Sequence, residues 1–326
     1  MMMKKILITG VAGFIGYHLA EKLLKNNYHI IGIDNLNDYY DPNLKKARLD
    51  NLNELSNFEF YKIDFIHNKE LQPIFENNKI GQVIHLGAQA GVRYSISNPQ
   101  FYIDTNITGF LNILENSKNF KVQNIIYASS SSIYGINEKM PFSEHDKTEK
   151  QISMYGVSKK TNELMAHTYS NLYGLNTFGL RFFTVYGPWG RPDMALYIFT
   201  KAIIENKIID LFNEGDHTRS FTYIDDITEP IHRLIKINYD KKNEISNNEI
   251  LNIGGSKPVK LLRFIDIIEK YLGKKAKINL KPMQQGDVKE TNANINKLEK
   301  ITGYRPQTNI EEGIKRFIDW YIKYHQ

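Results

Sequence analysis

The sequence contains no cysteine, which removes disulfide frameworks, thiolate metal sites and cysteine nucleophiles from consideration. It also lacks the run of roughly 18 consecutive apolar residues that a membrane-spanning helix requires, so no membrane partner is expected. Charge is not concentrated anywhere. The formal net charge of +6 comes from 42 Lys and Arg against 36 Asp and Glu. The lysines are scattered among Asn and Ile, without a basic run or an RNA-type aromatic motif. Nucleic acid is therefore not an expected partner, whereas a small anionic ligand suits the same surplus. No internal repeat, linker or low-complexity segment is evident. The start, "MMMKKILITGVAGFIG", imitates a signal peptide with two lysines and an apolar run. It reads better as a buried strand entering a glycine turn, because "YHLAEKLLKN" continues as helix without a small-residue cleavage site. The cytoplasm is the expected location.

What is present is an ordinary globular balance, 41% hydrophobic and 24% charged over 326 residues. That suffices for one large domain or two modest ones. In the first half, "KILITG", "HIIGIDN", "FEFYKIDF", "QVIHLGA", "NIIYASS" and "NTFGLRFF" are strand-like runs separated by helical stretches. Runs rich in Ile and Val, apolar on both faces, indicate strands covered from both sides. Strict alternation with helices predicts an α/β fold with a Rossmann-type doubly wound parallel sheet. Ligands bind such sheets beyond the carboxyl ends of the strands. After about residue 187 the rhythm breaks. "GPWGRPD" reads as a loop, "MALYIFTKAIIENK" and "IEEGIKRFIDWYIKYH" as helices, and Asn238 to Glu249 as a surface loop. The expected division is 1–187 for dinucleotide binding, with the catalytic residues, and 188–326 for a smaller mixed α/β part. Chain crossovers between the two are allowed for.

The turn "GVAGFIG" places Gly10, Gly13 and Gly16 after a strand and at the start of a helix. Small residues let the backbone approach a pyrophosphate, and the helix amino end offers free N–H groups and a positive dipole. A glycine turn alone is weak, but Asp34 follows Gly16 by eighteen residues at the end of the next strand. A carboxylate there accepts the hydroxyls of an adenosine ribose and repels a 2′-phosphate, which favours NAD over NADP. Asp34 could also be a mere strand-end turn residue. Asp64 ends the third strand, placed to meet an adenine edge or to form a turn.

"YASSSSIYG" sets Ser129 to Ser132 at another strand's carboxyl end, where a polar loop is the bland alternative. Tyr155 comes twenty-five residues after Ser130, with Lys159 four residues further along a helical pattern. Residues i and i+4 share a helix face. A phenol near pKa 10 is a poor base at neutral pH, but a cation within about 4–6 Å lowers such a pKa by roughly 1–3 units. Strand-end hydroxyl, phenol and ammonium in one crevice with a dinucleotide would suit proton removal from a sugar hydroxyl while hydride leaves the same carbon. No metal site is expected.

With "DNLNDYYDPNLKKARL", "HLGAQAGVRYS", "YGVSKKTNELMAHTYS", "LRFFTVYGPWGRPDMA" and "FTYIDDI", the chain resembles the extended short-chain dehydrogenases/reductases. It is closest to the nucleotide-sugar epimerases and dehydratases, and among them to the UDP-glucuronate 4-epimerases. The likeness spans nearly the whole length. It implies a retained NAD, a UDP-sugar substrate, UDP-glucuronate above all, and a transient 4-keto sugar. Tyr155, Lys159 and Ser130 would be catalytic, Ser130 bonding the reacting hydroxyl. Gly10, Gly13, Phe14, Ile15, Gly16, Asp34, Asn35, Asp38, Asp64, Phe65, Leu86, Ala88 and Thr105 would hold the cofactor, with Tyr155 and Lys159. For the substrate, Ser131 and Ser132 could hold a C6 carboxylate, Thr184 stands where galactose-type epimerases carry Asn, and Arg191 could be a charge partner. Arg93 is a second such cation or a structural one. Arg219 resembles the arginine that grips the diphosphate, and Asp287 falls in a segment near the nucleotide. Two residues depart from the family pattern: Ser220 where Asp is usual and Gly87 where Ala is commoner.

The resemblance also implies a homodimer built through a four-helix bundle of "FYIDTNITGFLNILENS" and "GVSKKTNELMAHTYSNLY". A dehydratase on the same fold would need an acid and a base beside the strand-end hydroxyl, where this chain has Ser131 and Ser132. A uronate decarboxylase and another UDP-sugar 4-epimerase remain open, and a non-catalytic NAD-binding protein is a remote alternative.

Overall fold

The computed structural model describes residues 5–237, 246–255, 257–283 and 289–326. The first half alternates as expected: β1 (Lys5–Thr9), α1 (Phe14–Lys25), β2 (Ile30–Asp34), α2 (Pro42–Asn53), β3 (Phe58–Lys62), α3 (Asn68–Asn77) and β4 (Ile80–His85). Next come two short helices, α4 (Val92–Ser97) and α5 (Pro99–Tyr102), a π-helical stretch at 103–108, and α6 (Gly109–Asn119). β5 (Asn124–Ser130), the long α7 (Met154–Tyr173) and β6 (Asn176–Phe182) complete this half.

Beyond it lie β7 (Thr184–Tyr186), α8 (Ala195–Ile204), β8 (Ile208–Leu211), β9 (Thr218–Arg219), β10 (Phe221–Tyr223) and α9 (Ile224–Ile235). β11 (Asn248–Ile253), β12 (Val259–Lys260), α10 (Leu261–Leu272), β13 (Lys277–Leu280), β14 (Glu290–Thr291), α11 (Asn296–Thr302) and α12 (Ile310–His325) end the chain. The terminal helix coincides with the stretch read from the sequence.

The seven-stranded sheet runs β11-β6-β5-β4-β1-β2-β3, and every pairing in it is parallel. The strand order reverses between β1 and β4, the switch point at which this architecture opens a crevice. β1 shows why the sheet is covered on both sides. Ile6 and Ile8 join the core packed around α1, while Leu7 joins the core packed around α3 and α6. Side chains alternate faces along a strand, so a strand apolar at every position can be satisfied only by helices above and below.

β11 corrects one expectation. Asn248 and Glu249 are not loop but the start of this strand, which pairs with β6 from Asn248↔Thr177 to Ile253↔Phe182. Ser246 and Asn247 precede the strand as loop, and the rest of the predicted loop, 238–245, lies outside the described residues. The chain therefore crosses back past residue 187 to finish the sheet. The remaining strands make small sheets, β10-β7, β12-β9-β14 and β13-β8, facing the carboxyl ends of the large one. Among the described residues, no helix is long and apolar enough to cross a membrane.

Candidate active site

A cavity of about 1170 Å³ opens along the carboxyl ends of the strands. Pockets for one small molecule span roughly 300–1,000 Å³, so this crevice has room for more than one. Its wall includes nearly the whole set of residues expected from the sequence. Asp287 lies outside the described residues. Asp64 and Asp38 are not in the wall. Asp64 is held by the Asn35 side chain at 2.8 Å and the Ile66 N–H at 3.1 Å, which realises its turn-forming alternative. Asp38 is exposed, because the loop directs Asn37 inward instead, where Lys45 Nζ donates to its Oδ1 at 2.7 Å.

At the floor is the glycine turn. A Cβ on Gly16 would stand 2.1 Å from the Gly10 carbonyl oxygen, so the helix can start this close to the strand only with hydrogen there. α1 begins at Gly13 without a side-chain cap, leaving its first N–H groups for an anion. Asp34 is buried, accepting from Ala12 N at 3.2 Å and Leu36 N at 2.9 Å. Burial raises its pKa, while the charges of Lys45 and Arg48 and these two N–H groups oppose the rise. A compact turn, free N–H groups and a buried strand-end carboxylate fit the pyrophosphate and ribose of a dinucleotide. Gly87 now has a reason as well: a Cβ would come within 2.7 Å of the Phe65 ring and 3.0 Å of Thr9 Oγ1.

The reacting groups sit where β5 and α7 meet. Ser153 caps α7, accepting from Gly156 N at 3.1 Å, which puts Tyr155 in the first turn and Lys159 one turn on. Ser130, 6% exposed, accepts from Ser132 N at 3.1 Å and shares a hydrogen bond with the Tyr155 hydroxyl. Ser129 takes a structural part instead, donating to Glu163 Oε1 at 2.7 Å.

The electrostatics differ from the simple expectation. Desolvation raises the Tyr155 pKa, and the opposing influences are the Ser130 hydrogen bond and the charge of Arg191. Lys159 is 1% exposed and donates to the Ala128 carbonyl at 2.9 Å. Burial pushes its pKa down to about 7, so at neutral pH it is only partly an ammonium. The charge that opposes the rise in the Tyr155 pKa is that of Arg191, on the far wall.

That far wall carries Thr184, Arg191 and Arg219. Arg191 donates from Nε to Asp193 Oδ1 at 2.9 Å and from Nη2 to Oδ2. Arg219 donates to the Thr218 and Lys289 carbonyls at 3.1 and 2.8 Å. Arg93, on α4, lies over the Phe212 ring at 5.2 Å, bridging the mouth of the crevice. Ser220 is fully buried and donates to the Gly255 carbonyl. It is not part of the crevice wall, although its neighbours Arg219 and Phe221 are.

Several residues of the wall were missed in the sequence. Lys45 is buried beside Asp34 on α2, and Arg48 beneath it donates to Ala12 O at 2.8 Å, Tyr40 Oη at 2.7 Å and Trp189 O at 2.5 Å. Their three-residue spacing on one helical face with Leu44, Leu49 and Leu52 was the available signal. Tyr39 and Asp193 were missed too, and they meet over 3.3 Å. The π-helical stretch 103–108 carries Thr105 into the wall, and its Asn106 carbonyl accepts from Asn162 on α7 at 2.6 Å. Such irregular turns recur at functional sites.

A glycine turn below a buried acid, and a serine, tyrosine and lysine gathered at the carboxyl end of β5 in the same crevice, define the class: an extended short-chain dehydrogenase/reductase of Rossmann type. Residues 7–317 match the family described as GDP-mannose 4,6 dehydratase, and the chain belongs to that family. It is 50% identical to the protein CapI of Staphylococcus aureus over 333 residues, 99% of each chain. A UDP-glucuronate 4-epimerase of Thermodesulfobacterium geofontis is 46% identical, with 96% of this chain and 95% of that one aligned. Among solved structures, UDP-glucuronic acid 4-epimerase from Bacillus cereus, in complex with UDP-glucuronic acid and NAD, superposes with a TM-score of 0.91 at 36% identity. That match covers 98% of this chain and 99% of the other.

Proposed function

We propose that this chain is an NAD-dependent UDP-glucuronate 4-epimerase, converting UDP-glucuronate and UDP-galacturonate into one another. The observation that carries it is the meeting of Ser130, Tyr155 and Arg191 in one crevice with an NAD-compatible floor, in a chain 46% identical to an epimerase of that name. NAD, when bound, supplies reversible acceptance of the C4 hydride. The glycine turn would hold its pyrophosphate, Asp34 its adenosine ribose, and Lys159 its second ribose.

Tyr155 takes the proton of the C4 hydroxyl and later returns it, with Ser130 sharing the hydrogen bond. In between, the 4-keto sugar turns over in the pocket, which must keep it from solvent. Ser131, Ser132 and Thr184 offer donors to the C6 carboxylate, with Arg191 as cation. An unpaired carboxylate here would cost several kcal/mol. Arg219 suits the diphosphate, since charge-assisted bonds from Arg are strong. We assign residues 1–187 mainly to the cofactor and 188–326 mainly to the substrate, with β11 returning to the sheet.

The test is incubation with UDP-glucuronate, UDP-glucose and an N-acetylated uronate, followed by product mass and sugar stereochemistry. Unchanged mass with inverted C4 on the glucuronate supports this reading. Loss of carbon dioxide would make the protein a decarboxylase instead. We place the reaction in the cytoplasm, with the product feeding surface polysaccharide. Dimerisation is part of the proposal. Val157, Leu164 and Leu172 make an exposed apolar stripe along α7 beside Leu111 of α6, at the helical spacing of a bundle seam. Leu164→Glu should shift the protein to monomer in sedimentation.

A further inference from the structure

Arg191 and Asp193 stand two residues apart in the crevice wall, and the pair is unusual for a ligand-binding arginine. The guanidinium already holds a carboxylate through both Nε and Nη2. Asp193 is in turn fixed by Tyr39, whose hydroxyl donates to Oδ2 at 3.3 Å from the opposite half of the molecule. The Arg191 guanidinium also lies 5.9 Å from the centre of the Tyr39 ring. Neither side chain of the pair is sealed off: 22% of Arg191 and 34% of Asp193 is exposed. Both side chains belong to the cavity wall.

An arginine offering its whole charge to a uronate would hold that carboxylate firmly. A firm grip conflicts with a reaction in which the keto sugar must turn over between the two hydride transfers. Binding energy expressed equally in every bound state lowers KM without raising kcat, and a grip stronger in the intermediate than in the turning state slows the turn.

We propose that Asp193 is a positioning and specificity residue: by sharing the Arg191 guanidinium it weakens that cation's hold on the substrate carboxylate, so that the keto sugar can rotate. This rests on the epimerase reading and adds to it a residue that touches Arg191 rather than the reacting carbon. Tyr39 is the latch that keeps Asp193 in place across the crevice. The arrangement also sets substrate choice. A neutral hexose gains nothing from a cation already paired, while a uronate gains a moderate amount.

The test compares the unaltered protein with Asp193→Asn, which keeps shape and one hydrogen-bonding oxygen but removes the charge, and Asp193→Glu, which restores charge. For Asp193→Asn the expected result is a Kd for UDP-glucuronate lowered about tenfold, as removal of one competing charge at a partly exposed site allows. The kcat for epimerisation should fall at least about threefold, and reduced nicotinamide should accumulate in the steady state, since the sugar waits in its keto form. UDP-glucose, measured as an inhibitor and by calorimetry, should bind as before. Asp193→Glu should recover most of the turnover. Weaker or unchanged uronate binding, an equal change for the neutral sugar, or full kcat in Asp193→Asn would each overturn the proposal. Turnover of UDP-glucuronate by the unaltered protein decides the epimerase reading separately. The calorimetric contrast between charged and neutral sugar decides the role of Asp193 even where turnover is absent.

Discussion

The two walls of the crevice are built differently. The wall formed by β1, β2, β4, β5 and α7 is made of strand ends in a continuous parallel sheet, and its functional side chains are buried: Asp34, Ser130 and Lys159. The opposite wall is assembled from loops and strands of two to four residues, and its cations, Arg191 and Arg219, stay partly in contact with solvent. Side chains on a packed sheet cannot shift without disturbing the core, whereas loops adjust readily. The first wall therefore suits the chemistry, which tolerates little misplacement. The second suits recognition of a sugar, which varies within a family while the hydride chemistry does not. The two are not independent, for Arg191 on the adjustable wall is the cation that acts on Tyr155.

The sharpest way to break this comparison is Tyr155→Phe. If the sheet wall performs the chemistry, loss of one hydroxyl should lower kcat by at least about 10³-fold, toward the upper range for a positioned acid–base group. NAD should still be retained, as measured by the cofactor absorbance that travels with the protein through gel filtration. Turnover within tenfold of the unaltered protein would move the chemistry elsewhere. Next comes the support behind that wall. Glu163, 5% exposed on α7, receives Arg181 Nε and Nη2 at 2.9 Å each and Ser129 Oγ at 2.7 Å. Glu163→Gln leaves a buried guanidinium without its carboxylate, a change worth about 3–5 kcal/mol. A large drop in the urea midpoint is expected, and an unchanged midpoint would show that this wall is less rigid than its packing implies. On the adjustable wall the effects should be smaller and confined to binding. Arg219→Ala should raise KM for charged and neutral UDP-sugars alike by about 10- to 100-fold, for loss of one or two charge-assisted bonds, with kcat little changed.

How far each wall was legible in the sequence follows from the same contrast. The sheet wall could be read because it rests on local patterns: apolar runs at strand spacing, glycines three residues apart, and Tyr155 and Lys159 one helical turn apart. The strand ends then brought these local pieces together by topology alone. The loop wall depends on contacts between distant residues. Tyr39 meets Asp193 across 154 positions, and Arg48 meets the Trp189 carbonyl across 141. Nothing in the short-range pattern around Asp193 marks it as a partner for Tyr39. β11 was missed for a related reason: a six-residue run behind a polar stretch becomes a strand because β6 offers it an edge. Lys159 shows the limit on the readable wall. Spacing gave its neighbour correctly, but whether it is charged depends on burial, which spacing does not report.

That last point can be tested through stability. Burial lowers the Lys159 pKa from 10.5 to about 7, so the folded state binds this proton less tightly than the unfolded chain does. Below pH 7 both states carry it, and the cost of burying the ammonium is felt in full. Between about pH 7 and 10.5 the unfolded chain holds more protons than the folded one, so stability must rise with pH over that window and fall as pH returns toward 7. The groups around it do not offset this trend near neutrality. His85, which feels the Lys159 charge, is itself pushed down to about 3 and stays neutral, and Tyr155 is raised above its ordinary value. Lys159→Met keeps the length of the side chain and removes the proton. In cofactor-stripped protein, the unaltered chain should gain about 1.6 kcal/mol over Lys159→Met between pH 7 and 8.5, against a limit of about 1.4 kcal/mol per pH unit. Urea midpoints at the two pH values measure it. Parallel pH dependences would mean that Lys159 keeps its proton in the folded state, and the sheet wall would then hold a full cation beside Tyr155 in addition to the one lent by Arg191.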